Sequence, residues 1–385
     1  MMKKDWTIKK LGEVCEVIAG QSPEGKFYNQ NHNGTPFYQG KKDFGEKYLE
    51  QPTVWTTLET KIALKNDILM SVRAPVGDIN ICNQRICIGR GLAAIRPSNK
   101  TDKDFLFYYL LSEKPKIKGK EGAVFASINR SEIAELKILL PPLEEQKRIV
   151  AVLDKKFAQI ETLKTAAEKN LQNTKQLFQS ELEKAFSNTS WERVLLSEIA
   201  LDFSRGKSKH RPRNDKILFG GDYPFIQTGD IRNSDKYVTE YIETYNESGL
   251  AQSKLWPEGT LCITIAANIA ETAILTFPCC FPDSIIGFIP NEKRTTVDYI
   301  YYVIQFFKAE LQKLSKGAAQ DNLNLAKLES MKFPLPPLEE QKRIVAHLDS
   351  LSEKVHHLEE IYTKQLADCD ELKQSLLQKA FEGEL

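Results

Sequence analysis

The side chains best suited to chemistry in this sequence are cations set beside amides, and the chemistry they suit is the binding of a polyanion. Arg205, Lys207, Lys209, Arg211, Arg213 and Lys216 crowd into one stretch, interleaved with Gly206, Ser208, His210 and Pro212. A flexible loop of that composition can neutralise phosphates or reach into a groove, and each contact adds to the salt dependence of binding. Earlier, Lys41, Lys42, Arg73, Arg85 and Arg90 are spread around Gln39 and Gln84, and Gln227 follows the second cluster. Such amides can read base edges through paired hydrogen bonds. Lys114, Lys116, Lys118 and Lys120 form a further basic stripe. Nothing for making or breaking bonds accompanies these residues. The chain lacks GxGxxG, a phosphate-binding lysine loop, HExxH and GxSxG. Gly206-Lys207-Ser208 is no phosphate loop, because Leu201 stands where that motif needs a glycine. Pro282-Asp283 resembles the start of a nuclease carboxylate set, but Glu292-Lys293-Arg294 has the wrong spacing to complete it. Seven cysteines without a CxxC pair and five histidines without ligand spacing point to packed, reduced thiols and no metal site. These readings together predict a binding protein rather than an enzyme.

Charge is distributed so as to support such binding. The 385 residues carry a net charge of only +1, yet residues 1–140 hold +6 and residues 336–385 hold −5. Hydrophobic residues at 41% and charged ones at 27% fit globular domains, and the length fits two or three of them. The most apolar stretch, 261–277, is interrupted by Asn268 and Glu271, which predicts no membrane span. No leader pattern opens the sequence, so the expected compartment is the cytoplasm.

An internal repeat organises the elements that must position these side chains. LPPLEEQKRIVA occurs at residues 140–151 and again at 335–346, and Leu153/Leu348, Asp154/Asp349, Leu163/Leu358 and Lys184-Ala185-Phe186/Lys379-Ala380-Phe381 keep the same offset of 195. Upstream the offset drifts: Trp6 meets Trp191 at 185, and Pro36-Phe37-x-Gln39 meets Pro224-Phe225-x-Gln227 at 188. A helix explains the constant part, since one inserted residue rotates everything after it by about 100°. Apolar residues at three- and four-residue steps, including Leu163 in the first copy and Leu372 in the second, predict two coiled-coil seams. The double prolines and paired glutamates before them suit helix starts. Before each helix, short β-rich runs (67–72, 79–82, 92–95, 260–266, 273–277) and apolar-aromatic helical runs (105–111, 299–307) predict an α+β globule.

The expected division is residues 1–140 as a first recognition domain, 141–190 as a long helix, 191–335 as a second recognition domain and 336–385 as a second long helix. Only residues 187–190 separate Phe186 from Trp191, so the second globule must begin near the far end of the first helix. That geometry predicts an antiparallel helix pair with one globule at each end, a pseudo-twofold object suited to a target with two unlike halves. Glu144, Glu145, Lys147 and Arg148, with Glu339, Glu340, Lys342 and Arg343, form an identical polar set repeated beside drifting sequence. They are candidates for one partner surface presented twice. A coiled-coil adaptor whose heads bind proteins is the rival reading, kept open by the weak acidity of the second globule.

With the duplicated PPLEEQKRIVA helix start, the Lys-Ala-Phe helix ends, the paired Pro-Phe-x-Gln and Asp67-Ile-Leu-Met-Ser-Val-Arg73-Ala-Pro-Val-Gly77, the whole chain resembles the specificity subunits of type I restriction-modification systems. The resemblance implies a non-catalytic protein with two target recognition domains, each reading half of a split double-stranded DNA site. Its helices would act as spacer and as docking platform for two modification (methyltransferase) subunits, with restriction-translocase subunits joining to form the nuclease. The chain would hold no cofactor, and S-adenosylmethionine would belong to the methyltransferase partner. One departure is visible: 259–268 replaces 67–77 in the second half, and the counterpart of Arg73 is missing.

Overall fold

Runs rich in isoleucine and leucine become strands because branched side chains pack well on a pleated surface. In the computed structural model, which describes residues 5–117, 127–266, 268–315 and 325–385, each run read as β-rich contains a strand: Ile68–Ser71, Ile79–Ile81, Leu92–Pro97, Leu261–Thr264 and Thr272–Leu275. Four of these are buried along their whole length, and their sequences are accordingly mostly apolar, with Ser71, Asn80, Thr264 and Thr272 as the buried polar exceptions.

The chain forms two units, Met1–Glu168 with Thr363–Leu385, and Lys169–Tyr362. In the first, Thr7–Lys10 pairs antiparallel with Lys137–Leu140, the strand leading into the first long helix. One sheet runs in the order Cys15–Ala19, Leu92–Pro97, Ile68–Ser71, Ile79–Ile81. A second runs Trp55–Thr56, Thr35–Tyr38, Ile86–Ile88, Ile62–Ala63, with Tyr28–Asn29 outermost, and its step from Phe37 to Cys87 is parallel. The second unit repeats this plan. Glu192–Leu195 pairs with Lys332–Leu335. Its first sheet runs Ala200–Arg205, Ile285–Pro290, Leu261–Thr264, Thr272–Leu275, then Tyr237–Val238. The other runs Glu243–Tyr245, Phe219–Phe225, Cys279–Cys280, Leu255–Trp256, with a parallel step at Phe225 and Cys280. The repeat thus extends through both heads, where insertions hide it in the sequence.

Both long helices are present, Leu143–Ala185 and Leu338–Glu382. The core of the first unit holds Ile149 and Leu153 from the start of one helix and Leu377, Ala380 and Phe381 from the end of the other. Phe381 meets the rings of Phe105 and Tyr109 edge-on at 5.4 and 5.2 Å. In the second unit the core takes Leu182 and Phe186 with Ile344 and Leu348. Within the first unit the helices run antiparallel, as Glu161 pairs with Lys373 at 3.1 Å and Lys164 with Asp370 at 3.0 Å. In the second, Glu181 lies 3.5 Å from His347.

Two seam positions need correction. Leu163 is 60% exposed and Leu372 46% exposed, so neither belongs to the buried stripe. The stripe passes from Ile160 through Lys164 to Ala167, and from Cys369 to Lys373. Each lysine lays its aliphatic stem in the seam and carries its ammonium to a carboxylate at the edge. All seven cysteines are buried free thiols, and burial pushes Cys15 and Cys82 up to about 12. Among the described residues no helix is long and apolar enough to cross a membrane.

Candidate nucleic-acid interface

Each head is first fixed to its helix by a residue that spacing alone did not single out. Gln146 is fully buried: its Oε1 accepts from the Asp102 N–H at 2.7 Å, and its Nε2 donates to the carbonyls of Lys100 (3.1 Å) and Pro141 (2.9 Å). Gln341 repeats this, accepting from the Thr295 hydroxyl at 3.0 Å and donating to the carbonyls of Arg294 and Pro336, both at 2.9 Å. A buried amide fully hydrogen-bonded in this way specifies one seating of the loop on the helix.

In the second unit a cleft of about 680 Å³ gathers Ser208, Arg213, Lys216 and Gln227 with Ile242 and Glu243. The basic loop beside it is held by hydrogen bonds to residues 252 and 253. Gln252 Oε1 accepts from the backbone N–H groups of Lys209 (2.7 Å) and His210 (3.1 Å), and the Ser253 hydroxyl donates to the Lys207 carbonyl at 3.0 Å. Arg211 turns back to donate to the carbonyls of Ser208 (2.6 Å) and His210 (2.8 Å). Asp283, whose sequence neighbours lack the spacing of a nuclease carboxylate set, pairs with Arg213 at 2.6 Å and lies 4.0 Å from Arg211. Lys207 and Lys209 stay exposed, and neither they nor Arg205 and Lys216 join an ion pair among the described residues. Gln227, exposed at the start of the helix Thr228–Asn233, donates to Glu243 at 2.7 Å, while Asp230 accepts from its backbone N–H.

The first unit brings together fewer of its candidates. Gln39 is exposed after strand Thr35–Tyr38 and accepts from the Ser22 hydroxyl at 2.9 Å, which in turn accepts from the Arg90 N–H at 3.2 Å. Glycine at position 89 makes room for the amide, since a Cβ there would lie 2.6 Å from Gln39 Oε1. Lys41 and Lys114 share Asp78, at 2.6 and 2.5 Å. Burial opposes ionisation of Asp78, but the two lysines outweigh it and hold the carboxyl below its ordinary range. Arg85 is engaged by Glu59 through two hydrogen bonds, one of 2.7 Å, and this pairing with the Thr35 hydroxyl draws Glu59 down to about 2. Lys42, Arg73 and Gln84 are exposed. Arg73 stands two residues beyond strand Ile68–Ser71, and the matching place beyond Leu261–Thr264 holds Ala266, which locates the missing counterpart. Lys116 pairs with Glu113 at 2.7 Å, and Lys118 and Lys120 lie outside the described residues.

On the long helices the candidate partner residues form the same pairs twice: exposed Glu144 with Lys147 (3.0 Å) and half-buried Glu145 with Arg148 (2.7 Å), exposed Glu339 with Lys342 (2.8 Å) and half-buried Glu340 with Arg343 (2.6 Å). Arg148 also donates to the Leu385 carbonyl at 2.6 Å. Such pairs at three-residue spacing add little to stability.

The model of a family described as type I restriction modification DNA specificity domain matches residues 3–172 and 188–365. A putative type I restriction enzyme MjaX specificity subunit of Methanocaldococcus jannaschii is 47% identical over 150 residues, 38% of this chain and 35% of that protein, so the match spans about a third of that relative. The MjaVIII specificity subunit of the same organism is 26% identical over 99% of this chain and 93% of its own length. Among solved structures, a chain described with complex assembly and conformational transition of the type I R-M system superposes with a TM-score of 0.83 at 22% identity, covering 100% of both chains. With the domain model matched twice across most of its length, in two units that repeat one sheet plan, this chain belongs to the type I restriction-modification DNA specificity family.

Proposed function

We propose that this chain is the DNA-reading subunit of a type I restriction-modification complex, each unit recognising one half of a bipartite, asymmetric site. The observation that carries this reading is a shared scaffold with unlike reading surfaces. Both units share the central strand order of each sheet, differing in one edge strand, and have corresponding buried glutamine clamps, yet one offers Gln39 with Arg90 while the other offers Gln227 with Glu243 beside a cationic loop. A common frame carrying different polar groups suits two different half-sites. The long helices set the number of base pairs between those halves, and their repeated polar starts dock two modification subunits, with restriction-translocase subunits completing the nuclease. The chain itself performs no chemistry and acts in the cytoplasm. S-adenosylmethionine binds the modification partner.

Adenine methylation mapped across the genome by single-molecule sequencing, with and without this gene, tests the proposal. Loss of one bipartite methylated motif on deletion is the expected result. An unchanged methylation map in cells that express the chain and its modification subunit overturns it.

A further inference from the structure

Lys47 and Lys236 occupy corresponding places in the two units, although they stand 189 residues apart while the groups that hold them stand 194 or 195 apart. Lys47 Nζ lies 3.1 Å from Asp104 and 3.3 Å from Asp154 of the first long helix, and 4.9 Å from the centroid of the Tyr108 ring. The Tyr108 hydroxyl donates to the same Asp154 at 2.5 Å. Lys236 Nζ lies 2.7 Å from Asp298 and 2.6 Å from Asp349 of the second long helix, and 5.2 Å from the Tyr302 ring, whose hydroxyl donates to Asp349 at 2.5 Å. On the backbone side the match continues: the Lys47 carbonyl accepts from Ile81 N–H at 2.8 Å and the Lys236 carbonyl from Ile274 N–H at 2.9 Å. Each lysine is therefore sewn to a sheet by its main chain and to a long helix by its side chain.

What these lysines terminate gives the cluster its meaning. Gln39 lies eight residues before Lys47, and Gln227 nine before Lys236, so in each unit one short segment runs from a candidate base-reading amide to a helix-bound lysine. Lys41 and Lys42 lie on one such segment and Arg232 on the other. An ammonium between two carboxylates contributes little net stability once desolvation is counted. Its value is geometric, since it fixes where the segment can sit. We propose that Lys47 and Lys236 are positioning residues that hold each head's reading segment at one angle on its own long helix, so that half-site spacing is read to a single base pair. This rests on the DNA-specificity reading above.

The test uses the full chain assembled with its modification subunits, and duplexes carrying the motif the wild-type complex methylates, with the spacer at its native length and one base pair longer or shorter. One base pair moves a half-site by about 3.4 Å, so the wild-type complex should favour the native spacer by about tenfold or more. Lys236→Met should reduce that preference several-fold, by lowering methylation at the native spacer more than at its neighbours. Lys236→Arg should restore it, because a guanidinium can bridge both carboxylates. Asp349→Asn, a gentler cut that keeps the lysine, should move the preference the same way and decides the matter if Lys236→Met does not fold. A spacer preference unchanged in the Met and Asn variants, or methylation lowered by one factor on all three duplexes, overturns the positioning role. A wild-type complex that methylates no bipartite duplex overturns the DNA-specificity reading itself.

Discussion

Asp283 shows how a neighbouring residue changes what a cationic side chain can offer DNA. It pairs with Arg213 and lies within ion-pair range of Arg211, whereas Lys207 and Lys209 are exposed and neither joins an ion pair among the described residues. A cation already held by a carboxylate must break that pairing or share it before it can release counterions from phosphate. Replacing Lys207 and Lys209 together by alanine should therefore flatten the slope of log affinity against log salt by about two units, roughly 0.9 per lost contact. Arg211→Ala with Arg213→Ala should flatten it less, and binding titrations of the assembled complex between low and moderate salt measure both. Glu59 acts in the same sense on Arg85. The Arg85 guanidinium draws the Glu59 carboxyl down to about 2 from its ordinary 4.5, so the stability this pairing adds is fully present above pH 4.5 and is lost as pH falls toward 2. Arg85 accordingly stays engaged throughout the neutral range, and Glu59→Gln should raise DNA affinity at pH 7 where an acid shift to pH 6 does not.

At the scale of elements, the long helices are held by what they bury rather than by their charge pairs. Leu153 is fully buried and Leu163 mostly exposed, ten residues apart on one helix. Leu153→Asp should destabilise the chain by on the order of 4 kcal/mol, because it buries a charge without a partner. Leu163→Asp should change stability by less than about 0.5 kcal/mol. Urea unfolding followed by circular dichroism separates the two. Gln146→Ala removes one side chain but leaves the Asp102 N–H and two carbonyls without it, and a loss of about 2 to 3 kcal/mol is expected from those unsatisfied groups. Gln341→Ala should also destabilise, since it likewise leaves two buried carbonyls unsatisfied, with the Thr295 hydroxyl in place of a close backbone N–H.

For the whole molecule, duplication makes the strongest demand. The same polar pairs open both long helices, so a partner that recognises one set meets the other as well. Native mass measurement of the assembled complex should find two modification subunits for each copy of this chain. A single one at saturation would remove the docking role from these residues. Unlike heads also predict unlike failures: exchanging residues 1–140 for those of another family member should change one half of the methylated motif and leave the other half as it was.

The constant offset of 195 residues was enough to reveal two equivalent helices, because a helix cannot absorb an insertion without turning its apolar stripe away from its partner. Strand-forming runs were legible for a similar reason: their residues are apolar on both faces and have nowhere to go but a core. Lys47 and Lys236 could not be matched by spacing, because loops tolerate insertions and these two lysines stand 189 residues apart while their partners stand 194 or 195 apart, so their correspondence exists in space and not in spacing. Gln146 and Gln341 stood inside the repeated motif, but their burial follows from how each head sits against its helix. The places of Leu163 and Lys164 likewise depended on the partner helix, because a three- or four-residue step alone does not tell which neighbour turns inward. Composition showed where positive charge collects; only the fold decided which cations Asp283, Asp78 and Glu59 already hold, since ion pairs form between residues far apart in the chain and are invisible until the chain brings them together.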